Sequence, residues 1–288
     1  MELLILLSLG LAVGLGMAIF DDDDDGSVQA SSEETDLETS EDADAVVGSE
    51  EDDVVFAGAG DDLIEGRGGD DRMFGQEGND FLTGGTGDDF MRGGSGNDAI
   101  LDHEGADTIW GDLGDDMIVA TSAMDGEEIA EMAREITDAL EAGQEPDVTQ
   151  EDLQALLRAG DEDTDSDADR VHAGYGNDIV IAGDGDTVTL GEGFDTLAIG
   201  DWMEEDHDPV VLTDFTKGED VIVYSHDGEG ALPDLELGWD DDGTGDGAGS
   251  ALIYANKTLI ARIPGAGTSL SASDISIVER SSSPLMSL

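Results

Sequence analysis

Aspartates recur every nine residues at Asp62, Asp71, Asp80, Asp89, Asp98, Asp107 and Asp116, without a slip. Two positions before each lies a glycine: Gly60, Gly69, Gly78, Gly87, Gly96, Gly105 and Gly114. A second glycine, two positions earlier again, is present at Gly58, Gly85 and Gly94. Carboxylates at a fixed period, separated by glycine turns, suit the binding of a hard divalent cation. Calcium takes about six to eight oxygen ligands, carboxylate and carbonyl alike. Glycine tolerates positive φ and so lets main-chain carbonyls crowd an ion. The pattern therefore predicts several Ca2+ ions, lying in rows between successive turns.

The same period defines the elements that hold these groups. Two positions after each aspartate is an apolar residue: Ile64, Met73, Leu82, Met91, Ile100, Ile109 and Ile118. Six glycine-rich residues make a turn and three make a short strand, whose middle side chain points inward. One apolar residue in nine is a thin core, so coils must stack to bury it. An acidic linker has the same composition, but a linker has no reason to keep an apolar position in register. With two repeats per coil, the outward residues Leu63, Phe81, Ala99 and Met117, with Leu101 and Val119 beside them, form one apolar stripe. Such a stripe needs a cover.

Degenerate copies precede the array at Asp44/Val46 and Asp53/Val55, and a second block follows. It opens at Asp169/Val171, continues through Gly174, Gly176 and Asp178, and after one deletion resumes at Gly191 with Asp195. Arg67, Gln76 and Asp112 stand where other copies have the second glycine, and Asp102-His103 replaces both opening residues. Weaker sites are expected at those turns.

The best copies, GGTGDDFMR at 84–92 and GGSGNDAIL at 93–101, resemble the RTX, or hemolysin-type calcium-binding repeat, family of bacterial proteins. The resemblance implies an all-β fold, a parallel β-roll of Gly/Asp-rich nonapeptides. It implies metal ligation by Asp62, Asp71, Asp80, Asp89, Asp98, Asp107, Asp116, Asp169, Asp178 and Asp195. The glycines it implicates are Gly58, Gly60, Gly69, Gly78, Gly85, Gly87, Gly94, Gly96, Gly105, Gly114, Gly174 and Gly176. Residues 211–222 look like the strand pair that often follows such repeats, and the array is similar to the roll of secreted metalloproteases without their catalytic part. Export is implied too, by a Sec signal or by a type I exporter reading residues near 275–288, with a place outside the cell or on its surface.

The chain has 288 residues, 73 acidic and 10 basic, for a formal charge of −63. Self-repulsion at this density opposes compaction. One ion per repeat would return roughly +14 over the seven copies. Nucleic acid is excluded as a partner, since phosphate binding needs clusters of Lys and Arg. There are no cysteines, so calcium takes the stapling role that disulfides have in other small-core proteins. The predicted organisation begins with an apolar membrane anchor or signal helix at 1–20 and an acidic disordered spacer at 21–45. A first repeat block at 46–119 and a second at 164–200 flank an insertion at 120–163. A β-rich antiparallel cap at 201–280 and a tail at 281–288 complete the chain.

The insertion changes period. Ile129, Met132, Ala133, Ile136 and Leu140, then Leu153, Leu156 and Leu157, follow helical spacing, which predicts a helical hairpin with one apolar face. It is expected to fold over the stripe; the alternative is that stripe or hairpin docks a partner. The acidic run at 161–169 fails as an EF-hand loop, because His172 stands where the closing glutamate belongs. Two histidines in metalloprotease spacing are missing among His103, His172, His207 and His226, and no Gly-x-Ser-x-Gly elbow is present. The reading is a non-enzymatic, exported calcium-binding protein. Its alternatives are an adhesion module presenting Phe74, Phe90 and Trp110, and a secreted hydrolase of unrecognised type.

Overall fold

The computed structural model describes residues 17–19, 28–29, 36–39, 43–102, 104–122, 167–203, 208–226, 232–240, 249–266 and 270–279. These residues wind into two stacked sheets, successive strands alternating between them. The first sheet runs through Met17–Ile19, Asp36–Glu38, Val54–Ala59, Arg72–Glu77, Phe90–Ser95, Thr108–Leu113, Arg170–Tyr175, Thr187–Glu192 and Val210–Leu212. The second runs through Val28–Gln29, Ala45–Val47, Leu63–Gly68, Phe81–Thr86, Ala99–Asp102, Met117–Ala120, Ile179–Ala182, Thr196–Gly200 and Val221–His226. Every pairing among these strands is parallel. Ile64 faces Leu82 and Met73 faces Met91, the two-repeat coil that the period predicts.

The apolar residue of each repeat points between the sheets. Val55, Ile64, Met73, Leu82, Met91, Ile100, Ile109, Ile118, Val171, Val180, Val188 and Leu197 form one continuous buried core. The 120–163 insertion does not break it, because Thr108 pairs with Arg170 directly and Met117 with Ile179. The second block thus stacks on the first. The predicted helical hairpin itself, from residue 123 onward, lies outside the described residues.

The two outer faces differ. On the second sheet Leu63, Phe81, Leu101, Met117 and Val119 are buried, and Ile181, Ala198, Trp202 and Val223 extend the same cluster. The Trp202 indole Nε1 donates to the Ala182 carbonyl at 3.0 Å, which satisfies the polar end of an otherwise apolar ring. On the first sheet Phe56 and Trp110 stay 36% exposed. Phe56 stacks on Phe74 at 4.8 Å, and Trp110 on His172 at 4.3 Å.

Three expectations need correction. The apolar helix predicted over 1–20 gives way at Met17–Ile19 to a strand paired in parallel with Asp36–Glu38. The sheet edge offers these residues main-chain hydrogen bonds in place of the internal ones a helix would supply. No helix among the described residues is long and apolar enough to cross a membrane. The acidic spacer at 21–45 contains strands at Val28–Gln29 and Asp36–Glu38, and Leu37 is buried in the core. The coil therefore continues without its glycines wherever an apolar residue falls in phase.

The 201–280 cap is not antiparallel throughout. Val210–Leu212 and Val221–His226 extend the two sheets in parallel, and Thr258–Ile263 and Ile275–Glu279 add to them, again in parallel. Long connections permit parallel addition, whereas a two-residue turn permits only antiparallel pairing. That turn is Asn256-Lys257, with φ of 51° and 77°. It joins Ser250–Ala255 to Thr258–Ile263, and Leu235–Asp240 pairs antiparallel beside them.

Candidate metal centre

Each coil has two glycine-rich edges, and each edge carries a column of aspartates. One column holds Asp62, Asp80, Asp98, Asp116, Asp178 and Asp195; the other holds Asp53, Asp71, Asp89, Asp107, Asp169 and Asp186. All are at most 5% exposed. Within each column the carboxylate Oδ1 accepts the main-chain N–H of the aspartate one coil earlier. Asp62 accepts from Asp44 at 2.7 Å, Asp80 from Asp62 at 2.9 Å, Asp98 from Asp80 at 2.8 Å and Asp195 from Asp178 at 2.9 Å. The bond survives the insertion: Asp107 donates to Asp169 and Asp116 to Asp178, both at 2.8 Å.

The second carboxylate oxygen is the chemically telling one. Oδ2 of Asp62, Asp71, Asp80, Asp89, Asp98, Asp116, Asp178 and Asp195 is buried and accepts no hydrogen bond. A buried oxygen without a partner is costly when charged. Burial accordingly pushes Asp62 up to about 9, Asp89 and Asp98 to about 8, and Asp71, Asp80 and Asp178 to about 7. Asp116 and Asp195 rise to about 6 by the same cause. In every case the main-chain hydrogen bond to Oδ1 opposes the shift and loses.

These oxygens face a slot shaped for an ion. A Cβ placed on Gly66 would lie 2.4 Å from Asp71 Oδ2 and 2.6 Å from the Gly84 carbonyl of the next coil. On Gly75 it would lie 2.1 Å from Asp80 Oδ2 and 2.8 Å from the Gly93 carbonyl. On Gly111 the distances are 2.4 Å to Asp116 Oδ2 and 2.5 Å to the Ala173 carbonyl. Carboxylate and carbonyl oxygens thus converge from two successive coils, the donor set that a hard cation takes. All twelve glycines predicted for the site adopt positive φ, between 103° and 141°. The slots are closed by local donors near the array ends. Asp53 Oδ2 accepts from the Ser49 N–H and hydroxyl at 2.6 and 2.9 Å, and Asp186 Oδ2 from the Gly183 N–H at 2.7 Å.

Three features escaped the spacing argument. Asp186 belongs to the column, but its turn is one residue short, so a strict nine-residue frame steps over it; Asp186-Thr187-Val188 was the available signal. Asp102 is buried among the column residues although it replaces a glycine. A second ladder runs along the outer rim with opposite polarity. The Asp70 N–H donates to Asp52, Asp88 to Asp70, Asn97 to Asn79, Asp115 to Asn97 and Asn177 to Asp115, at 2.7–3.1 Å. The recurrent Asp or Asn just before the column aspartate is the sequence trace of that ladder.

Two parallel sheets wound from stacked nonapeptides, with a column of half-satisfied carboxylates on each edge, define a parallel β-roll. A family model described as RTX calcium-binding nonapeptide repeat (4 copies) matches at residues 39–73, 47–82, 65–100, 83–118 and 163–197. Over those segments the chain is similar to RTX calcium-binding repeats, the family its motifs resemble. Among curated proteins none matches the chain.

Proposed function

We propose that this chain is an exported calcium-binding protein whose repeats complete their fold as Ca2+ binds. The observation that carries the reading is the row of buried Asp Oδ2 atoms without hydrogen-bond partners, those of Asp71, Asp80 and Asp116 lying beside a carbonyl of the next coil. Asp62, Asp71, Asp80, Asp89, Asp98, Asp107, Asp116, Asp169, Asp178 and Asp195 would hold the ions, with carbonyls exposed by the glycine turns. Bound calcium would supply the positive charge that lets stacked carboxylates stay ionised. Oδ1 holds each carboxyl in place through the neighbouring N–H, leaving Oδ2 for the cation. Ligands come from successive coils, so binding free energy becomes stacking free energy. A fold that depends on calcium in this way suits the outside of the cell, where free calcium is abundant.

Titration of the full chain with Ca2+, followed by far-UV circular dichroism with Mg2+ as control, tests this. The expected result is a calcium-specific rise in β signal, reversed by chelator and lost in Asp89→Ala plus Asp98→Ala. A spectrum indifferent to calcium would overturn the reading.

A second reading, an adhesion module, draws on the open aromatic column of the first sheet, where Phe56 stacks on Phe74 and, with Arg92 between, Trp110 stacks on His172. Glycan or protein array binding lost in Trp110→Ala, with calcium binding intact, would favour it. Unchanged array binding would count against it.

A further inference from the structure

The turn at 102–107 differs from its neighbours in one atom group. At Gly48, Gly66, Gly75 and Gly111 the slot beside the first glycine of the turn is bordered by that turn's Asp Oδ2 and by a neutral carbonyl from the next coil. At Gly84 the carbonyl's place is taken by a carboxylate. A Cβ on Gly84 would lie 2.5 Å from Asp89 Oδ2 and 2.5 Å from Asp102 Oδ1. Both oxygens are buried and neither has a hydrogen-bond partner. Asp102 is 2% exposed, and oxygens of Asp89, Asp102 and Asp107 lie within 4.8 Å of one another. Other turns carry glycine or alanine at this first position, as at Gly66, Gly75, Gly84, Gly93, Gly111, Ala57 and Ala173, and none carries a carboxylate there. The third carboxylate therefore belongs to this chain and not to the repeat pattern.

We propose that Asp89, Asp102 and Asp107 form one cation site stronger than the rest of the array, filled first as calcium rises. The inference rests on the calcium reading above. Affinity in oxygen-ligand sites rises with the number of charged ligands, and Asp102 adds a third buried carboxylate to the two column aspartates that successive coils supply elsewhere. The site also borders the insertion, since the next turn on this edge ends at Asp169. Its filling would brace the coil where chain connectivity is longest.

Calorimetric titration of the full chain with CaCl2, beside Asp102→Asn and Asp102→Gly, tests the proposal. Asp102→Asn keeps the shape and removes the charge; Asp102→Gly restores a residue that opens other turns, so the coil retains its geometry. The expected result is one ion per chain bound at least about tenfold more tightly than the others, with that class lost in both variants and the remaining classes unchanged. A single uniform class in the unaltered chain and both variants would overturn it. So would an extra ion in Asp102→Gly with no tight class lost, because Asp102 would then fill an ion position instead of serving it. Absence of calcium binding by the unaltered chain would overturn the calcium reading itself, and this inference with it.

Discussion

Arg67, Gln76 and Asp112 hold φ of 81°, 85° and 78° where their counterparts Gly58, Gly85 and Gly94 sit at 103–128°. The stack imposes the turn on residues that resist it. Gln76→Gly should therefore stabilise the calcium-loaded roll by about 1 kcal/mol, read from chemical denaturation. Gly96→Ala should do the reverse. Its Cβ would meet the Gly78 carbonyl oxygen at 1.8 Å, and a loss of at least ~3 kcal/mol is expected. The column aspartates make a prediction of opposite sense to the usual one for carboxylates. Folding without calcium raises their pKa values to between about 6 and about 9. The ion-free roll then binds protons more tightly than the unfolded chain. Its stability is present below the unfolded carboxylate range of about 4 and is lost as pH rises through 6 to 9. Chelated protein should gain β signal on acidification from pH 8 to pH 5 and lose it on return. A flat profile would show that the carboxylates are satisfied otherwise.

The two edges and the two outer faces make different demands on the elements. At the edges, aspartate columns point Oδ1 to the preceding coil, while the outer-rim Asp/Asn ladder points to the following one. Each turn is thus tied in both directions. On the faces, the second sheet buries Leu63, Phe81, Leu101, Met117 and Val119, whereas the first leaves Phe56 and Trp110 partly open. The chain leaves the second sheet at Ala120 for the insertion. We propose, from the apolar spacing of Ile129, Met132, Ile136, Leu153 and Leu156 in the sequence alone, that the insertion supplies the cover for that stripe. Replacing Ile136 and Leu156 with Asp should expose the stripe and raise binding of a hydrophobic dye several-fold. Dye binding equal to that of the unaltered chain would remove the insertion as the cover.

Charge governs the molecule as a whole. Neighbouring carboxylates in a column lie about one strand spacing apart, ~4.8 Å. At an effective dielectric of about 20, like charges at that distance repel by roughly 3 kcal/mol per pair. A core of one apolar residue per nine must carry that load along two columns, beneath a net charge of −63. The hydrodynamic radius should therefore fall when calcium is added at pH 7.5 and low salt. Monovalent salt at about 0.5 M should reproduce only part of the compaction, since screening weakens repulsion without supplying ligands. Full compaction by NaCl alone would assign the effect to screening.

The period of nine determined the coil, the inward residue and the twelve positive-φ glycines, because each is a local demand repeated in register. It also marked ten of the twelve column aspartates as ligand candidates, Asp178 and Asp195 among them. What it did not reach were interactions whose partner lies one coil away and outside the repeat frame. Asp186 joins the column across a shortened turn, and Asp102 reaches the slot beside Gly84 from the next coil. Asp36–Glu38 enters the sheet with no glycine to announce it. In the cap, strand direction followed from connection length and from which sheet edge was open. Local sequence sets what a nine-residue unit prefers. Stacking decides which oxygens face one another, because that depends on the coil above and the coil below at once.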